Sequence, residues 1–328
     1  MTIRIGIIGT GGMGQHHARQ IVEREDARVV ALCDTEKESI ERLKQALGNV
    51  ESLTTFSDWK QLLAYSEMDA VVVATPHTQH GEQVQECLES GLHVLVEKPM
   101  TTTAADARRI LASAESSDKV LAIGYQRHGD GRFIRARELL QTGAIGEVRL
   151  VHVIIAQDCL GYFQPGASWR ANPALSGGGH FMDTGSHIND ILLWTTGLEP
   201  RRVQSFINKE GTDVDVLTAV TVEFTNGAVG TLAYTSLSPE WREEFTFYGT
   251  KGVMRFGAAE PLMVHRRGED ILLPKSAESG QTPVQNFIDA IKGTEEVQAP
   301  GLCGLRVAQL SEGVYASHES GQPVDVTQ

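Results

Sequence analysis

The sequence predicts an α/β chain with a doubly wound parallel sheet first, then a C-terminal α/β domain on an open, mostly antiparallel sheet. Three observations carry that prediction. Over the first 124 residues, short apolar runs alternate with helical patterns, as parallel strands joined by right-handed crossovers require. The first apolar run passes directly into Gly9-Thr10-Gly11-Gly12-Met13-Gly14, a strand–loop–helix junction. Beyond Pro200, β-rich runs follow one another with Gly227 and Gly249 between them, where hairpin turns belong.

The elements follow in order. Ile3 to Ile8 reads as a strand and Gln15 to Glu25 as a helix. In the G-x-G-x-x-G between them, Gly9 permits the tight turn, Gly11 lets backbone approach a pyrophosphate, and Gly14 lets helix and strand pack closely. The helix N-terminus adds donors and a positive dipole end. The next strand, Val29 to Cys33, ends in Asp34, 20 residues after Gly14. There an acid hydrogen-bonds the adenosine ribose in dinucleotide-binding folds. A carboxylate at that place repels a 2′-phosphate, so the cofactor read from the residues is NAD, with NADP second. Asp34 also fits a helix N-cap before Glu36-Lys37-Glu38, and the two roles are compatible.

The alternation continues through a helix at Glu36–Leu47 capped by Gly48, a weak strand at Leu53–Phe56 and a short helix at Asp58–Tyr65. A continuous apolar strand, Ala70–Ala74, leads into Thr75-Pro76-His77 and a helix at Gln79–Ser90. Leu92 to Val96 is another buried strand, closed by Glu97-Lys98-Pro99. Ligands of doubly wound sheets bind outside the carboxyl ends of the strands, so Lys98 points to a ligand crevice; the plain alternative is a snorkelling surface lysine. A helix at Thr103–Ser117 and a strand at Val120–Gly124 complete a first domain, 1–124.

The second domain, 125–328, whose terminal helices are free to pack back on the first domain, opens with a helix at Arg132–Gln141 and a long strand at Glu147–Ala156. A looser stretch with Trp169-Arg170 precedes Gly177-Gly178-Gly179 and a helix at His180–Thr196. Strands follow at Val203–Asn208, Val216–Phe224, Val229–Thr235, Glu244–Tyr248, Val253–Phe256 and Leu262–His265, then helices at Pro283–Ile291 and Leu302–Glu319. On the helix after the glycines, Asp183 and His187 stand four apart and share a face, with His180 and Asp190 near the same stripe. Ile188, Ile191, Leu192 and Trp194 anchor the other face. The polar stripe reads as a solvated face, as a metal site lacking any cysteine, or as a catalytic pair. We assign no metal. In the catalytic reading His187 is the acid–base group and Asp183 orients it, while the Lys98 ammonium stabilises developing negative charge on a carbinol oxygen.

Composition bounds the function. With 328 residues the chain is long enough for two cored domains. A net charge of −13 argues against nucleic acid or an anionic membrane surface as partner. No run approaches a membrane span, and a first strand starting at Ile3 leaves no room for a signal peptide. Cys33, Cys87, Cys159 and Cys303 are widely separated and read as reduced thiols of a cytoplasmic protein.

Several motifs together give a resemblance: GIIGTGGMG from Gly6, ALCD ending at Asp34, ATPHTQH from Ala74, EKPM from Glu97, GYQRH from Gly124, SGGGHFMDTGSH from Ser176 and YGTKG from Tyr248. The chain resembles the glucose–fructose oxidoreductase / inositol dehydrogenase (Gfo/Idh/MocA) family from Ile5 to Val326. The resemblance implies a Rossmann domain, a C-terminal sheet that forms homodimer or homotetramer contacts, and NAD(P)-dependent oxidation or reduction of a sugar, polyol or cyclitol. It implies that Lys98, Asp183 and His187 are catalytic. It further implies that Thr75, Pro76, His77, His80, Glu97 and Gln126 line the cofactor beside the glycine loop (Gly9, Thr10, Gly11, Gly12, Met13, Gly14) and Asp34. His77 stands where asparagine is common, and Trp169–Arg170 match a less constant pair near the pocket. Two rivals stand beside the dehydrogenase: a glycoside hydrolase recycling a held NAD through transient oxidation, and a non-catalytic NAD(P)-binding regulator.

Overall fold

The computed structural model describes residues 2–48, 53–257, 260–272 and 279–326. In chain order its elements are β1 (Ile3–Ile8), α1 (Gly12–Val22), β2 (Ala27–Cys33), α2 (Lys37–Ala46), β3 (Thr54–Phe56), α3 (Trp59–Leu63), β4 (Ala70–Val73), α4 (His80–Glu89), β5 (His93–Val96), α5 (Ala104–Ser117) and β6 (Leu121–Ile123). Next come α6 (Gly131–Gln141), β7 (Val148–Asp158), α7 (Pro173–Ser176), α8 (His180–Thr196), β8 (Pro200–Asn208), β9 (Leu217–Phe224), β10 (Val229–Thr235), β11 (Leu237–Gly249), β12 (Gly252–Gly257), β13 (Met263–Arg266) and β14 (Glu269–Leu272). The chain closes with α9 (Pro283–Ile291), α10 (Gly301–Ser320) and β15 (Val324–Asp325).

Two compact units form. The first takes in residues 1–101, 105–126 and 281–305, the second 102–104, 127–280 and 306–328. The continuous part of the first unit ends near Gly124, and α9, one of the terminal helices, is also part of that unit. There Val284, Phe287 and Ile288 are buried in one cluster with Ile3, Ile5, Ile7 and Leu95. The first sheet has the order β3-β2-β1-β4-β5-β6, with every pairing parallel. Its central strand β4 is apolar throughout, as a sheet covered on both faces demands; Ala70, Val71, Val72 and Val73 are all fully buried. The chain reverses its winding between β1 and β4, the switch point at whose strand ends ligands bind.

The second unit holds a nine-stranded sheet, β14-β13-β12-β11-β7-β10-β9-β8-β15. Only β7 with β10 is parallel; the other pairings are antiparallel. One face is covered: Phe181, Ile188, Ile191 and Leu192 of α8 share a core with Val151, Val153, Val220 and Phe245 of the sheet. The sheet class agrees with the alternating patterns, but three details do not. β11 begins at Leu237 rather than near Glu244, and β14 and β15 join the sheet's two edges without having been anticipated. Helix α1 starts at Gly12, inside the glycine run, rather than at Gln15.

Candidate active site

In the first unit the glycine loop has the shape its spacing implies. Gly9 sits at φ +91°, and a Cβ there would lie 2.5 Å from the Ala74 carbonyl oxygen. A Cβ on Gly14 would overlap the Gly9 carbonyl. Gly11 and Gly12 differ: a Cβ on either would meet no protein atom within 4 Å. Their backbone therefore faces open space at the start of α1, whose N-terminus has no side-chain cap. That is a cradle a pyrophosphate fits, with unpaired helix N–H groups as donors. Gly11→Ala is expected to leave thermal unfolding of the ligand-free chain unchanged and to weaken NAD binding about tenfold or more, a loss of about 1.4 kcal/mol. Titration calorimetry with NAD checks it.

Asp34 is tied to this loop. Its Oδ2 accepts from Thr10 N at 2.7 Å and Thr10 Oγ1 at 3.0 Å, and its Oδ1 accepts from Glu36 N at 3.0 Å. The N-cap reading is corrected: Glu36 occupies that position, and Asp34 forms a turn just before it. A carboxylate offers about four lone-pair sites, so these bonds leave acceptor capacity for ribose hydroxyls. Thr10 is fully buried beneath the loop, while Met13 is exposed on it.

After β4, Thr75 and Pro76 are half-buried and His77 is buried. His80 is fully buried, with Nδ1 at 2.8 Å from the Pro99 carbonyl and Nε2 at 2.8 Å from that of Thr75. Burial pushes its pKa down, against the opposing pull of these two carbonyls. His80 thus supports the loop after β4 from beneath and ties it to the segment that follows Lys98.

Glu97 and Lys98 leave the end of β5, next to that loop. Glu97 is buried, and its Oε1 lies 2.6 Å from His17 Nε2 on α1. Burial opposes ionisation of Glu97, but the His17 bond and the charges of His17 and Lys98 outweigh it and hold its pKa below the ordinary carboxylate value. A Cβ on Gly124 would come within 2.8 Å of Glu97 Oε1, so this glycine makes room for the carboxylate. Lys98 is half-buried, and its backbone N–H donates to Glu97 Oε2 at 3.2 Å. Gln126 is exposed on a short 3-10 turn. His17 escaped the sequence reading; the signal was a polar residue on the inner face of the helix that follows the glycines.

In the second unit α8 carries Asp183 and His187, the first buried and the second half-buried. Asp183 Oδ2 accepts from Arg170 Nε at 2.7 Å, and the Arg170 guanidinium lies 4.5 Å over the Trp169 ring. The Trp169–Arg170 pair therefore belongs to this site, where it holds Asp183. Both Arg170 and Asp183 line a cavity of about 510 Å³ with Gln157, Asp158, Cys159, Tyr162, Phe163, Thr184 and Trp241. His187 is not among the residues lining that cavity. The other two polar residues of the stripe are accounted for within the fold. His180 is fully buried against Gln157 Oε1 at 2.9 Å, and burial pushes its pKa down to about 4, so it is neutral at pH 7. Asp190 is buried and pairs with His128 at 2.8 Å.

The glycine triplet does admit close neighbours to the helix start, but they come from this chain. The Asp215 carboxylate accepts from Gly179 N at 2.6 Å, Phe181 N at 2.7 Å and Tyr315 Oη at 2.7 Å. Cβ atoms on Gly178 and Gly179 would overlap Tyr315 and the Asp215 backbone. Asp215 and Tyr315 are supports of the α8 start that the sequence reading missed.

Comparison with known proteins agrees with this anatomy. Residues 3–125 match the model of an oxidoreductase family with an NAD-binding Rossmann fold, and residues 133–255 match the GFO/IDH/MocA C-terminal domain. Inositol 2-dehydrogenase 1 of Saccharopolyspora erythraea is 28% identical, covering 99% of this chain and 97% of its own. Myo-inositol 2-dehydrogenase of Thermotoga maritima is 30% identical over 70% of this chain and 67% of its own. The crystal structure of the WlbA dehydrogenase from Bordetella pertussis, in complex with NADH and UDP-GlcNAcA, superposes with TM-score 0.86 at 25% identity, covering 99% of both chains. Two family models over consecutive segments, residues 3–125 and 133–255, a Rossmann loop that fits NAD, and a relative that spans nearly the whole chain place this protein in the GFO/IDH/MocA family of NAD-binding oxidoreductases.

Proposed function

We propose that the chain is an NAD-dependent dehydrogenase that moves a hydride between nicotinamide and a secondary alcohol or ketone of a sugar, cyclitol or sugar acid. The observation that carries this reading is the presence of both halves of the chemistry in one chain. An open glycine cradle with Asp34 and Lys98 stands on the first unit, and Asp183 and His187 ride one helix of the second. Bound NAD supplies the hydride acceptor. His187 takes the hydroxyl proton as the alcohol is oxidised, and returns one in the reverse direction. Lys98 donates to the oxygen and stabilises its negative charge. Asp183, steadied by Arg170, orients His187 and meets a substrate hydroxyl. Thr75, Pro76 and His77 shape the cofactor loop with His80, and Glu97 and Gln126 approach the nicotinamide ribose.

The names of the relatives support the substrate range: two act on inositols, and a third binds a nucleotide sugar acid. The test is NADH formation at 340 nm with a panel of sugars, inositols and uronic acids. Substrate-dependent NADH supports the dehydrogenase. Glycoside cleavage without net NADH would point to the hydrolase reading, and NAD binding with no turnover on any ring would point to the regulator.

The same reading places the chain in the cytoplasm as a homodimer or homotetramer. No helix among the described residues is long and apolar enough to cross a membrane. None of the four cysteines is in a disulfide, and Cys33 and Cys87 are buried. On the sheet of the second unit, Phe206 pairs in register with Ala219, Ala219 with Ala233, and Ala233 with Ile154. That row is apolar, and Phe206 is 72% exposed, the kind of surface that protein–protein contact covers. Light scattering in solution decides it; a monomer mass at micromolar concentration overturns the assembly.

A further inference from the structure

The cavity beside Asp183 carries more information about its ligand than the reading above uses. Its charged lining is one guanidinium, Arg170, against two carboxylates, Asp158 and Asp183. The guanidinium is already matched: Arg170 Nε donates to Asp183 at 2.7 Å. The other arginines that would suit an acidic substrate are committed in the same way. Arg127 pairs through both terminal nitrogens with the buried Glu243. Arg132 forks onto Asp130 at 2.6 and 3.1 Å and donates to the Gly257 carbonyl. From the lining of this unit a ligand carboxylate would face two carboxylates against one guanidinium that is already bonded through Nε to one of them, and desolvating it there would be costly.

Two of the three aromatic residues of the lining are exposed. Tyr162 is 62% and Trp241 66% exposed, although large aromatics in a soluble fold gain by burial. The backbone presents Trp241 deliberately. In the β11–β7 ladder Leu237 pairs with Asp158 and Arg242 with Ala156. The four residues Ser238–Trp241 thus stand opposite the single residue Gln157, a bulge next to a cavity. Bulges of this kind re-aim side chains at sites, and this one delivers an indole to a lining that also holds Gln157, Thr184 and Tyr162.

We propose that this cavity takes an uncharged sugar or cyclitol ring, with Trp241 packed on its C–H face and the Arg170–Asp183 pair reading adjacent hydroxyls. Beyond the Nε bond that joins them, the guanidinium of Arg170 has terminal N–H donors and Asp183 is an acceptor, so the pair presents both hydrogen-bond roles that neighbouring hydroxyls need. The inference rests on the dehydrogenase reading for its biological meaning, but binding tests it separately.

The experiment uses the full chain with NADH present and matched ring pairs that differ only at C6: methyl glycosides of glucose, galactose and mannose against the corresponding methyl uronides, with inositols alongside. Titration calorimetry gives affinity, and NADH formation with NAD gives turnover. At least one neutral ring is expected to bind, about tenfold or more tighter than any uronide. Trp241→Ala is expected to raise the Kd and KM for that ring about tenfold, while NADH affinity and the unfolding midpoint stay unchanged; Trp241→Phe recovers most of the loss. A uronide that binds better than its neutral partner overturns the proposal, as does a Trp241→Ala chain with unchanged KM, or no binding by any ring. Neutral rings that bind in a Trp241-dependent way without NADH formation would sustain the cavity assignment and remove the dehydrogenase.

Discussion

Replacing Lys98 with alanine is expected to lower kcat on the best sugar or polyol by about 10² to 10³-fold, roughly 3–4 kcal/mol of transition-state stabilisation, the effect of deleting one preorganised donor to a developing oxyanion. NAD affinity is expected to change little, because Asp34 and the glycine loop hold the other end of the cofactor. The size of the loss follows from how Lys98 is built. It leaves β5 at the carboxyl edge of the sheet, its backbone N–H is bound by Glu97, and Glu97 is itself buried against His17. A flexible surface lysine costs entropy each time it engages; one fixed at its backbone by a buried carboxylate costs less. His17→Gln loosens that support and is expected to give a milder version of the same defect. Stopped-flow hydride transfer, with NADH binding followed by fluorescence, separates chemistry from affinity. A Lys98→Ala enzyme within about fivefold of the parent in the hydride step would remove Lys98 from the chemistry, since even one oxyanion donor is worth more than that.

What the sequence showed and what it hid divide along physical lines. The first sheet was legible because its strands are apolar on both faces and its glycine loop has a fixed spacing. Asp34 was legible for the same reason, though its bonds to Thr10 were not, since they are contacts across 24 positions. On the second unit the period of α8 placed Asp183 and His187 on one face. The extension of β11 was hidden because Ser238-Pro239-Glu240 reads as a loop, and in part it behaves as one: those residues form the bulge. β15 is two residues long and too short to pattern. Arg170 could be flagged from its neighbour Trp169, yet its target, 13 residues away, is set only by the turn of Pro173–Ser176 and the glycines after it. The residues missed altogether, His17 and Asp215, are partners in long-range bonds. Each has meaning only once its opposite number is known.

Asp215 carries the largest expected effect on stability. Its carboxylate is buried and collects three short hydrogen bonds, from Gly179 N, Phe181 N and Tyr315 Oη, at the N-terminus of α8. Burial first, then the charge of Asp215, hold the Tyr315 phenol well above its ordinary pKa, so it remains a donor at any working pH. Asp215→Ala removes one acceptor group and leaves two buried N–H donors and the part-buried Tyr315 hydroxyl facing a void. Each orphaned donor costs about 1–3 kcal/mol, and the helix end loses a favourable charge worth up to about 2 kcal/mol. Some of this is recovered by water and relaxation, so a net loss of about 4 kcal/mol is expected. For a unit of this size that is a fall of about 10 °C in its unfolding midpoint. Asp215→Asn keeps one acceptor but turns an amide toward an N–H, and is expected to fall between. Tyr315→Phe removes one donor together with its bond and is expected to cost about 1 kcal/mol. Because Asp183 and His187 ride on the same helix, the loosened start of α8 is also expected to raise KM in Asp215→Asn before the fold is lost. Calorimetric unfolding of the three variants, with amide exchange over residues 179–187, checks the order. If Asp215→Ala melts within about 2 °C of the parent, the carboxylate is not what holds this helix in place, since that shift corresponds to less than about 1 kcal/mol.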